Sequence, residues 1–274
     1  MARNGPTTLA LPPFEGATRQ LILVCLGVFF AQALLSWVLP ENLFGLIFGH
    51  LALIPLELAH GAVWQILTYS FVPMGILGTL FTLLFLWFIG SMLEDLRGGQ
   101  WLYELFFTSA IGGGLLASAI SFTHVFGLNP ITPGAGLEAA IFGLLIAIFI
   151  LMGEQEFLFF FILRLKAKYM VAIYILIDTA RLLLHAAPFY ALLHLSGAFC
   201  GYLFLTFVPR RGLSYLVTER YFGMRNEFYR AKRRNAAKKF EVYMREQNRD
   251  VHFDKDGRYV DPDDKDPTDK RWMN

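Results

Sequence analysis

The sequence has few charged residues and only two cysteines, and both shortages restrict the classes of protein it can belong to. Charged residues make up 17% of the 274 residues, against about 25% in an average soluble domain. Hydrophobic residues make up 55%, and phenylalanine alone occurs 27 times. Cys25 and Cys200 each lie inside an apolar segment, so neither a disulfide framework nor a cysteine metal site is expected. The composition is typical of a polytopic membrane protein.

The charged residues that are present are distributed unevenly. They are scarce between Gln20 and Gly153 and dense after Pro209. The predicted tail at residues 209–249 is basic with interleaved aromatic residues, which is typical of a solvated cytoplasmic helix or of a surface that binds anionic lipid. No pattern in it predicts nucleic-acid binding. Residues 250–274 are rich in Asp and Pro and are expected to be poorly ordered.

Apolar segments of about 20 residues are long enough to cross a bilayer as helices. We predict an all-α, polytopic bundle of six transmembrane helices at residues 20–208, after a cytoplasmic arm at residues 1–19. The connection at residues 40–73 is broken by Gly and Pro and predicts an interfacial or partly re-entrant segment. The fourth span is expected to carry Pro133 in its first helical turn. The predicted spans are 20–39, 75–93, 100–122, 133–152, 169–186 and 189–208.

The distribution of Lys and Arg predicts the orientation of these spans. The outer loops hold Arg181 and no other Lys or Arg, and the inner segments before the tail hold Arg3, Arg19, Arg97, Arg164, Lys166 and Lys168. Because basic residues accumulate on the cytoplasmic side, both termini are expected in the cytoplasm. We expect the bacterial inner membrane as the location.

Two polar residues inside predicted spans are candidate functional residues. Glu138 lies in the stretch PGAGLEAAIFGLL, from Pro133 to Leu145, and His194 lies in the sixth span. A charged side chain inside a bilayer costs about 2.5–3.5 kcal/mol even on lenient scales, so an intramembrane Glu is a functional-site hypothesis.

Three stretches carry a resemblance to a known family. They read WQILTYSF from Trp64, GLEAAIFGLL from Gly136, and HLSGAFCG from His194. Together with the order and spacing of the spans, they resemble the rhomboid family of intramembrane serine proteases over most of residues 20–208. The family's sixth-span pattern, His-x-x-Gly-x-x-x-Gly, is matched in full by His194, Gly197 and Gly201.

The resemblance also implies which residues stand at the family's catalytic positions. The fourth-span pattern is Gly-x-Ser-Gly, in which the serine is the nucleophile and the sixth-span His is the base. Here Gly136 is retained, Glu138 stands at the serine position and Ala139 at the second glycine. The family's two oxyanion-stabilising residues of the second span correspond to Gly78 and Thr82. Of the family's polar catalytic residues, only the base, His194, is retained in this sequence.

These departures argue against serine catalysis. The mechanism needs a hydroxyl activated by a nearby base, and a carboxylate would repel a developing oxyanion. Loss of one oxyanion donor alone costs about 10²–10³ in rate. We therefore expect no catalytic residue and interpret the chain as a rhomboid-like pseudoprotease. A substitute nucleophile would have to come from Ser196, Cys200, Ser118, Ser121 or Thr132, and the first two lie off the helix face of His194.

If the family fold holds, Glu138 and His194 face each other, and three interpretations of the pair are open. The first is a buried carboxylate–imidazole hydrogen bond that ties two spans together. The second is a polar site that binds a ligand or protein segment, and the third is acid–base or proton-relay chemistry. One Glu and one His are too few for a metal site, and no cofactor is expected. The glycines expected to support close helix packing are Gly136, Gly143, Gly197 and Gly201.

Three functions follow as hypotheses. The main expectation is a non-catalytic protein of the lipid bilayer that binds transmembrane segments of client proteins. The first alternative is an active rhomboid-type intramembrane serine endopeptidase with a rewired site. The second alternative is a membrane protein that handles protons or a small molecule through Glu138 and His194.

Overall fold

Most of the regular structure is helical. The computed structural model describes residues 12–73, 75–159, 163–208, 212–246 and 251–260, and within these residues it contains ten α-helices and four short strands. The helices are α1 Gly16–Val38, α2 Glu41–Leu51, α3 Pro55–Ala59, α4 Gln65–Thr68, α5 Ile76–Arg97, α6 Gly99–Ser121, α7 Glu138–Met152, α8 Ala167–Leu183, α9 Pro188–Phe207 and α10 Leu213–Glu246. The strands are β1 Glu156–Phe159, β2 Leu163–Lys166, β3 His252–Phe253 and β4 Tyr259–Val260.

Four of the described helices, α1, α5, α6 and α9, are long and apolar enough to cross a membrane. Helix α7 has 15 residues and α8 has 17. At about 1.5 Å per residue they extend roughly 22–26 Å, less than the hydrocarbon thickness of about 30 Å. The predicted class, a helical polytopic membrane bundle, is confirmed, while a count of six spanning helices stays a prediction.

The predicted start of the fourth span is wrong, because α7 begins at Glu138 and not at Pro133. The preceding residues are non-helical, and Gly134 pairs with Leu53 through two backbone hydrogen bonds of 2.8 Å each. Irregular backbone at membrane depth is tolerated where protein groups satisfy its hydrogen bonds. This pairing makes an extended entry to α7 possible, and it is a tertiary contact that no local pattern in the sequence reveals.

Helices α6, α7 and α9 approach one another closely at glycines. A Cβ built on Gly197 of α9 would lie 2.7 Å from the carbonyl carbon of Ala139, with the carbonyl oxygen nearer still. One built on Gly113 of α6 would lie 2.8 Å from the Cα of Gly197. One turn further along α9, a Cβ on Gly201 would lie 2.6 Å from the Cα of Gly143. Small residues therefore allow backbone-to-backbone contact at the centre of the bundle.

The N-terminus of α1 is held by a carboxylate from another helix. The backbone N–H groups of Ala17 and Thr18 donate to the two oxygens of Glu94, at 2.7 and 2.9 Å, and the Thr18 hydroxyl donates at 2.8 Å. The first turn of a helix has unpaired N–H groups, and an acceptor there stabilises it. Helix α1 thus begins inside the predicted arm, whose residues 1–11, including Arg3, lie outside the described residues.

The connection between α7 and α8 contains a hairpin that the sequence did not predict. Strands β1 and β2 pair antiparallel, with Glu156 opposite Lys166. Glu154, just before the hairpin, forms ion pairs with Lys166 and Lys168. The two lysines lower the pKa of Glu154 to about 2 through their hydrogen bonds and positive charge.

The chain divides into two units, residues 1–213 and residues 214–274. In the second unit α10 packs against the β3–β4 hairpin, where the ring of Phe240 meets that of Phe253 edge-on at 6.2 Å. The hairpin lies in the stretch after residue 250, for which poor order stays a prediction. Residues 261–274 lie outside the described residues.

Candidate polar site in the membrane bundle

The stretch WQILTYSF positions the entry to the site through Tyr69. This side chain is completely buried, and its hydroxyl donates to the carbonyl of Ala110 in α6 at 2.6 Å. Its backbone carbonyl accepts the N–H of Gly136 at 2.8 Å. Gly136 has a φ of +104°, which a residue without a Cβ adopts readily. These contacts fix the backbone two residues before Glu138.

Glu138 is the first residue of α7 and its side chain is partly buried. One carboxylate oxygen accepts a long hydrogen bond of 3.4 Å from the hydroxyl of Thr82 in α5. The other is buried and has no hydrogen-bond partner among the described residues. A negative charge at a helix N-terminus is stabilised by the helix dipole. Gly78, one turn before Thr82, is exposed and has no side chain to contribute.

His194 lies in α9, buried, and its carboxylate partner is Asp178 of α8. Imidazole Nδ1 and one oxygen of Asp178 are 2.8 Å apart, and the other oxygen accepts from Arg181 at 2.9 Å. The imidazole ring also stacks on Phe142 of α7, with centroids 5.0 Å apart and planes 28° from parallel. The imidazole is thus held by a carboxylate on one side and by an aromatic face on another.

One of the three interpretations, a hydrogen bond between Glu138 and His194, does not match the contacts of the described residues. Among the described residues Glu138 bonds to Thr82, and His194 bonds to Asp178. A carboxylate–imidazole hydrogen bond is present, but it joins α8 to α9, whereas a bond from Glu138 would join α7 to α9. The sequence contained a signal for Asp178, because placing an ionisable side chain inside the predicted fifth span costs as much free energy as placing one inside the fourth.

In the described residues, the imidazole of His194 is hydrogen-bonded to a carboxylate and to no hydroxyl or thiol. When the Nδ1–H of a neutral imidazole donates to a carboxylate, Nε2 is left as an acceptor. None of the five side chains considered as substitute nucleophiles is hydrogen-bonded to His194 in the part of the chain that the structure describes. Ser196 is buried, Ser121 donates to the carbonyl of Ser118, and Cys200 lies against Gly112.

Neither of two surface grooves coincides with this site. One, of about 500 Å³, lies along α6 beside Tyr103 and Phe107, and the other, of about 410 Å³, lies beside Glu94. A water-filled cavity at Glu138 and His194 therefore stays a prediction. Within the described ranges, no group of three or more His, Cys, Asp or Glu side chains is arranged to hold a metal ion.

Comparison with known proteins identifies the family. Residues 22–241 match the model of a family described as "Eukaryotic integral membrane protein (DUF1751)". The chain is also 26% identical over 168 residues to "Rhomboid-like protein 19" of Arabidopsis thaliana, a match that covers 59% of this chain. That match spans about half, 54%, of the Arabidopsis protein.

These matches decide two of the expectations. The expected bacterial inner membrane is not supported, because the family is described as eukaryotic. The similarity to a rhomboid-like protein agrees with the stretches from Trp64, Gly136 and His194 and confirms the rhomboid-like resemblance. The chain belongs to the DUF1751 family of eukaryotic integral membrane proteins and is a multi-pass, rhomboid-like membrane protein.

Proposed function

We propose that this protein is a non-catalytic rhomboid-like protein that binds transmembrane segments of other membrane proteins. The observation that supports the loss of catalysis is the environment of Glu138, where a carboxylate stands at the nucleophile position and accepts from Thr82. Nδ1 of the family's base, His194, hydrogen-bonds to Asp178, and among the described residues no hydroxyl is hydrogen-bonded to the imidazole. In a well-studied serine protease, loss of the nucleophile alone costs about 10⁶ in rate. A protein with this site has no acyl-enzyme route.

Helix α5 supplies a surface suited to a transmembrane segment. Gly78 and Thr82 are one turn apart on one face. Gly78 is exposed, and apart from its own helix backbone no atom of the described residues lies within 4 Å of a Cβ built on it. Small residues four apart let a second helix approach closely inside a membrane. Glu138 lies directly beside this face through its contact with Thr82. The carboxylate oxygen that has no partner among the described residues offers an acceptor to a polar group on the bound segment.

A cleavage assay tests the loss of catalysis. The purified protein is reconstituted in liposomes with a generic rhomboid substrate, beside the variants Glu138→Ser and Glu138→Ser with Ala139→Gly. We expect no cleavage by the wild type. Product from either variant would indicate that the scaffold still holds a competent base. Cleavage by the wild type that His194→Ala abolishes would refute the proposal.

A binding assay tests the association. Energy transfer is measured between the labelled protein and the same substrate's transmembrane segment as their density in the liposome is varied. We expect association with the wild type, and weaker association with Gly78→Leu because the added side chain prevents close approach. Gly27→Leu in α1 is the matched control, since Gly27 is also exposed with no atom within 4 Å of its Cβ position. Equal association for all three proteins would contradict a binding face on α5.

A second candidate function is proton or small-molecule handling by the polar site. It is favoured by the buried oxygen of Glu138 that has no partner among the described residues, since an unsatisfied buried carboxylate oxygen is costly and indicates that another group binds there. Proton flux into proteoliposomes, followed with an internal pH dye, tests it. Flux that Glu138→Gln abolishes would support this candidate, and no flux above that of empty liposomes would eliminate it for protons.

The proposal includes an orientation with both termini in the cytoplasm. It is supported by the Lys and Arg distribution. Arg181, which lies in the last turn of α8, contacts Asp178, which offsets its positive charge. Protease access to the tail in sealed cells and in permeabilised cells tests it. This orientation also brings the basic tail to the leaflet richest in anionic lipid, which we include as the second proposed partner.

A further inference from the structure

Helix α10 is long, basic and exposed. It contains 34 residues, of which nine are Lys or Arg and four are Glu. Its side chains are exposed along nearly the whole described length. A helix that is polar all round would be only a solvated spacer, so the arrangement of its apolar residues decides whether it has a binding face.

One face of α10 combines large apolar side chains with positive charge. Tyr221, Met224 and Phe228 follow one another at helical spacing, and they are 57%, 65% and 66% exposed. At about 100° per residue, Arg225 and Lys232 lie along one edge of this row. Arg220 and Lys238 lie along the opposite edge. We call this set the aromatic-basic face.

The other side of α10 is already occupied by the hairpin of the same unit. Ala237 is buried there, and Arg230 lies 4.0 Å from Asp256. The backbone of Arg233 and Arg234 is in contact with the hairpin glycine, Gly257. The hairpin therefore covers one side of the helix and leaves the aromatic-basic face exposed, with Arg225 in contact only with the rings of Phe222 and Tyr229 of the same helix among the described residues.

The start of α10 is attached to the membrane bundle. The Leu213 N–H donates to the carboxylate of Glu104 in α6. Helix α9, one of the helices able to cross a membrane, ends at Phe207. The six peptide steps to Leu213 span at most about 20 Å. Leu213, the first residue of α10 and the last of the first unit, therefore lies near the membrane surface at which α9 ends.

We propose that the aromatic-basic face of α10 lies on the anionic lipid surface of the membrane that α9 crosses. Helices of this kind insert their apolar face at the boundary of headgroups and acyl chains while basic residues contact anionic headgroups. Each basic residue near an anionic surface strengthens binding roughly fivefold. The identity of the cellular leaflet that α10 contacts rests on the orientation proposed above. The contact itself depends on the charge and exposure of α10.

Hydrogen–deuterium exchange of the full chain in nanodiscs tests the contact. The protein is compared in discs of phosphatidylcholine and in discs with about one-third phosphatidylserine. We expect slower exchange at residues 217–232 in the phosphatidylserine discs, and a smaller difference at about 1 M salt, where the Debye length is only about 3 Å. Equal exchange in the two kinds of disc at low salt would refute the proposal.

Two charge-matched double variants locate the face. Arg225→Gln with Lys232→Gln removes two charges from the aromatic-basic face, and we expect the ratio of membrane-bound to free helix to fall roughly 30-fold. Arg233→Gln with Arg234→Gln removes two charges from the hairpin side and is expected to have a much smaller effect. Equal losses in the two variants would refute the assignment of the face. Unchanged exchange in α6 and α9 verifies that each variant is folded.

The apolar part of the face has its own test. Met224→Ser with Phe228→Ser keeps every charge, and we expect it to weaken the protection in phosphatidylserine discs. Protection that instead requires an added soluble protein or RNA in phosphatidylcholine discs would overturn the lipid assignment. Both leaflets of a disc have one composition, so the result does not depend on orientation. It is also independent of the cleavage and association assays, so failure of this inference and failure of the proposed function are distinguishable.

Discussion

The substitution Gly197→Ala tests the close contact of α7 and α9 directly. The new methyl group would lie 2.7 Å from the Ala139 carbonyl carbon and 2.8 Å from its Cα, whereas carbon atoms in contact are about 3.5–4.0 Å apart. The neighbouring atoms belong to backbone, so no side chain can rotate away. The two helices must separate by about 1 Å or deform.

We expect this substitution to lower the free energy of unfolding by about 2 kcal/mol, because inserting a methyl group into a packed core costs about 1–3 kcal/mol. The net loss occurs even though Ala is favoured over Gly in helices by up to about 1 kcal/mol. The measurement is unfolding of the purified protein by sodium dodecyl sulfate in mixed micelles, followed by circular dichroism. Gly27→Ala is the control, since nothing lies within 4 Å of its added methyl group, and it should unfold like the wild type or slightly later.

Two results would contradict this reasoning. If Gly197→Ala and Gly27→Ala have equal unfolding midpoints, α7 and α9 are not in backbone contact at this position. If Ala139→Gly restores the stability of Gly197→Ala, the clash involves the Ala139 side chain instead of its backbone. The structure predicts no such rescue, because the nearest atoms are the carbonyl and the Cα.

Three further predictions concern the ionisable side chains. Asp178→Ala should destabilise the bundle by about 2 kcal/mol because it leaves His194 buried without its partner. This exceeds the average of about 0.6 kcal/mol for polar contacts between membrane helices. In the same unfolding assay, adding His194→Ala should then cost little more, and full additivity of the two substitutions would refute the coupling. Glu94→Ala should destabilise the protein by about 1–2 kcal/mol because α1 loses the acceptor for its first N–H groups. Hydrogen exchange measured on this variant should be faster only in the first turn of α1. In the folded protein the pKa of Glu154 is lowered from 4.5 to about 2, so its two lysine contacts should stabilise the protein fully above pH about 4.5 and be lost as the pH falls toward 2. The difference in unfolding midpoint between wild type and Glu154→Gln should therefore disappear over that range. A difference that persists at pH 2 would contradict the assignment.

Hydrophobic length accounts for what the sequence predicted well. Helices α1, α5, α6 and α9 begin and end within a few residues of the predicted spans, because a run of about 20 apolar residues ended by Pro or charge has few alternatives to a spanning helix. The start of α7 was missed by five residues. The backbone of Gly134 pairs there with Leu53, a partner some 80 residues earlier in the chain, and that pairing favours an extended strand over the first helical turn.

In the candidate site too, some features could be predicted from the sequence and others depended on tertiary contacts. Glu138 and His194 were predicted as site residues because ionisable residues are rare at membrane depth, but the residues that contact them were not predicted. A helical sequence indicates which residues share a face, not which neighbouring helix that face meets. Asp178 and Phe142 were therefore overlooked as partners of His194, although both touch it in the structure.

The sequence by itself determined that this chain is a multi-pass, rhomboid-like helical membrane protein. That a carboxylate stands at the family's nucleophile position stays a prediction. Composition, span length and the identity of single residues are local properties, so they can be read without a structure. Only the tertiary structure decided that Asp178 holds His194, that Thr82 contacts Glu138, and that α6, α7 and α9 meet at glycines. Each of these depends on the packing of helices remote in sequence, which is decided by the shape and volume of all their side chains together.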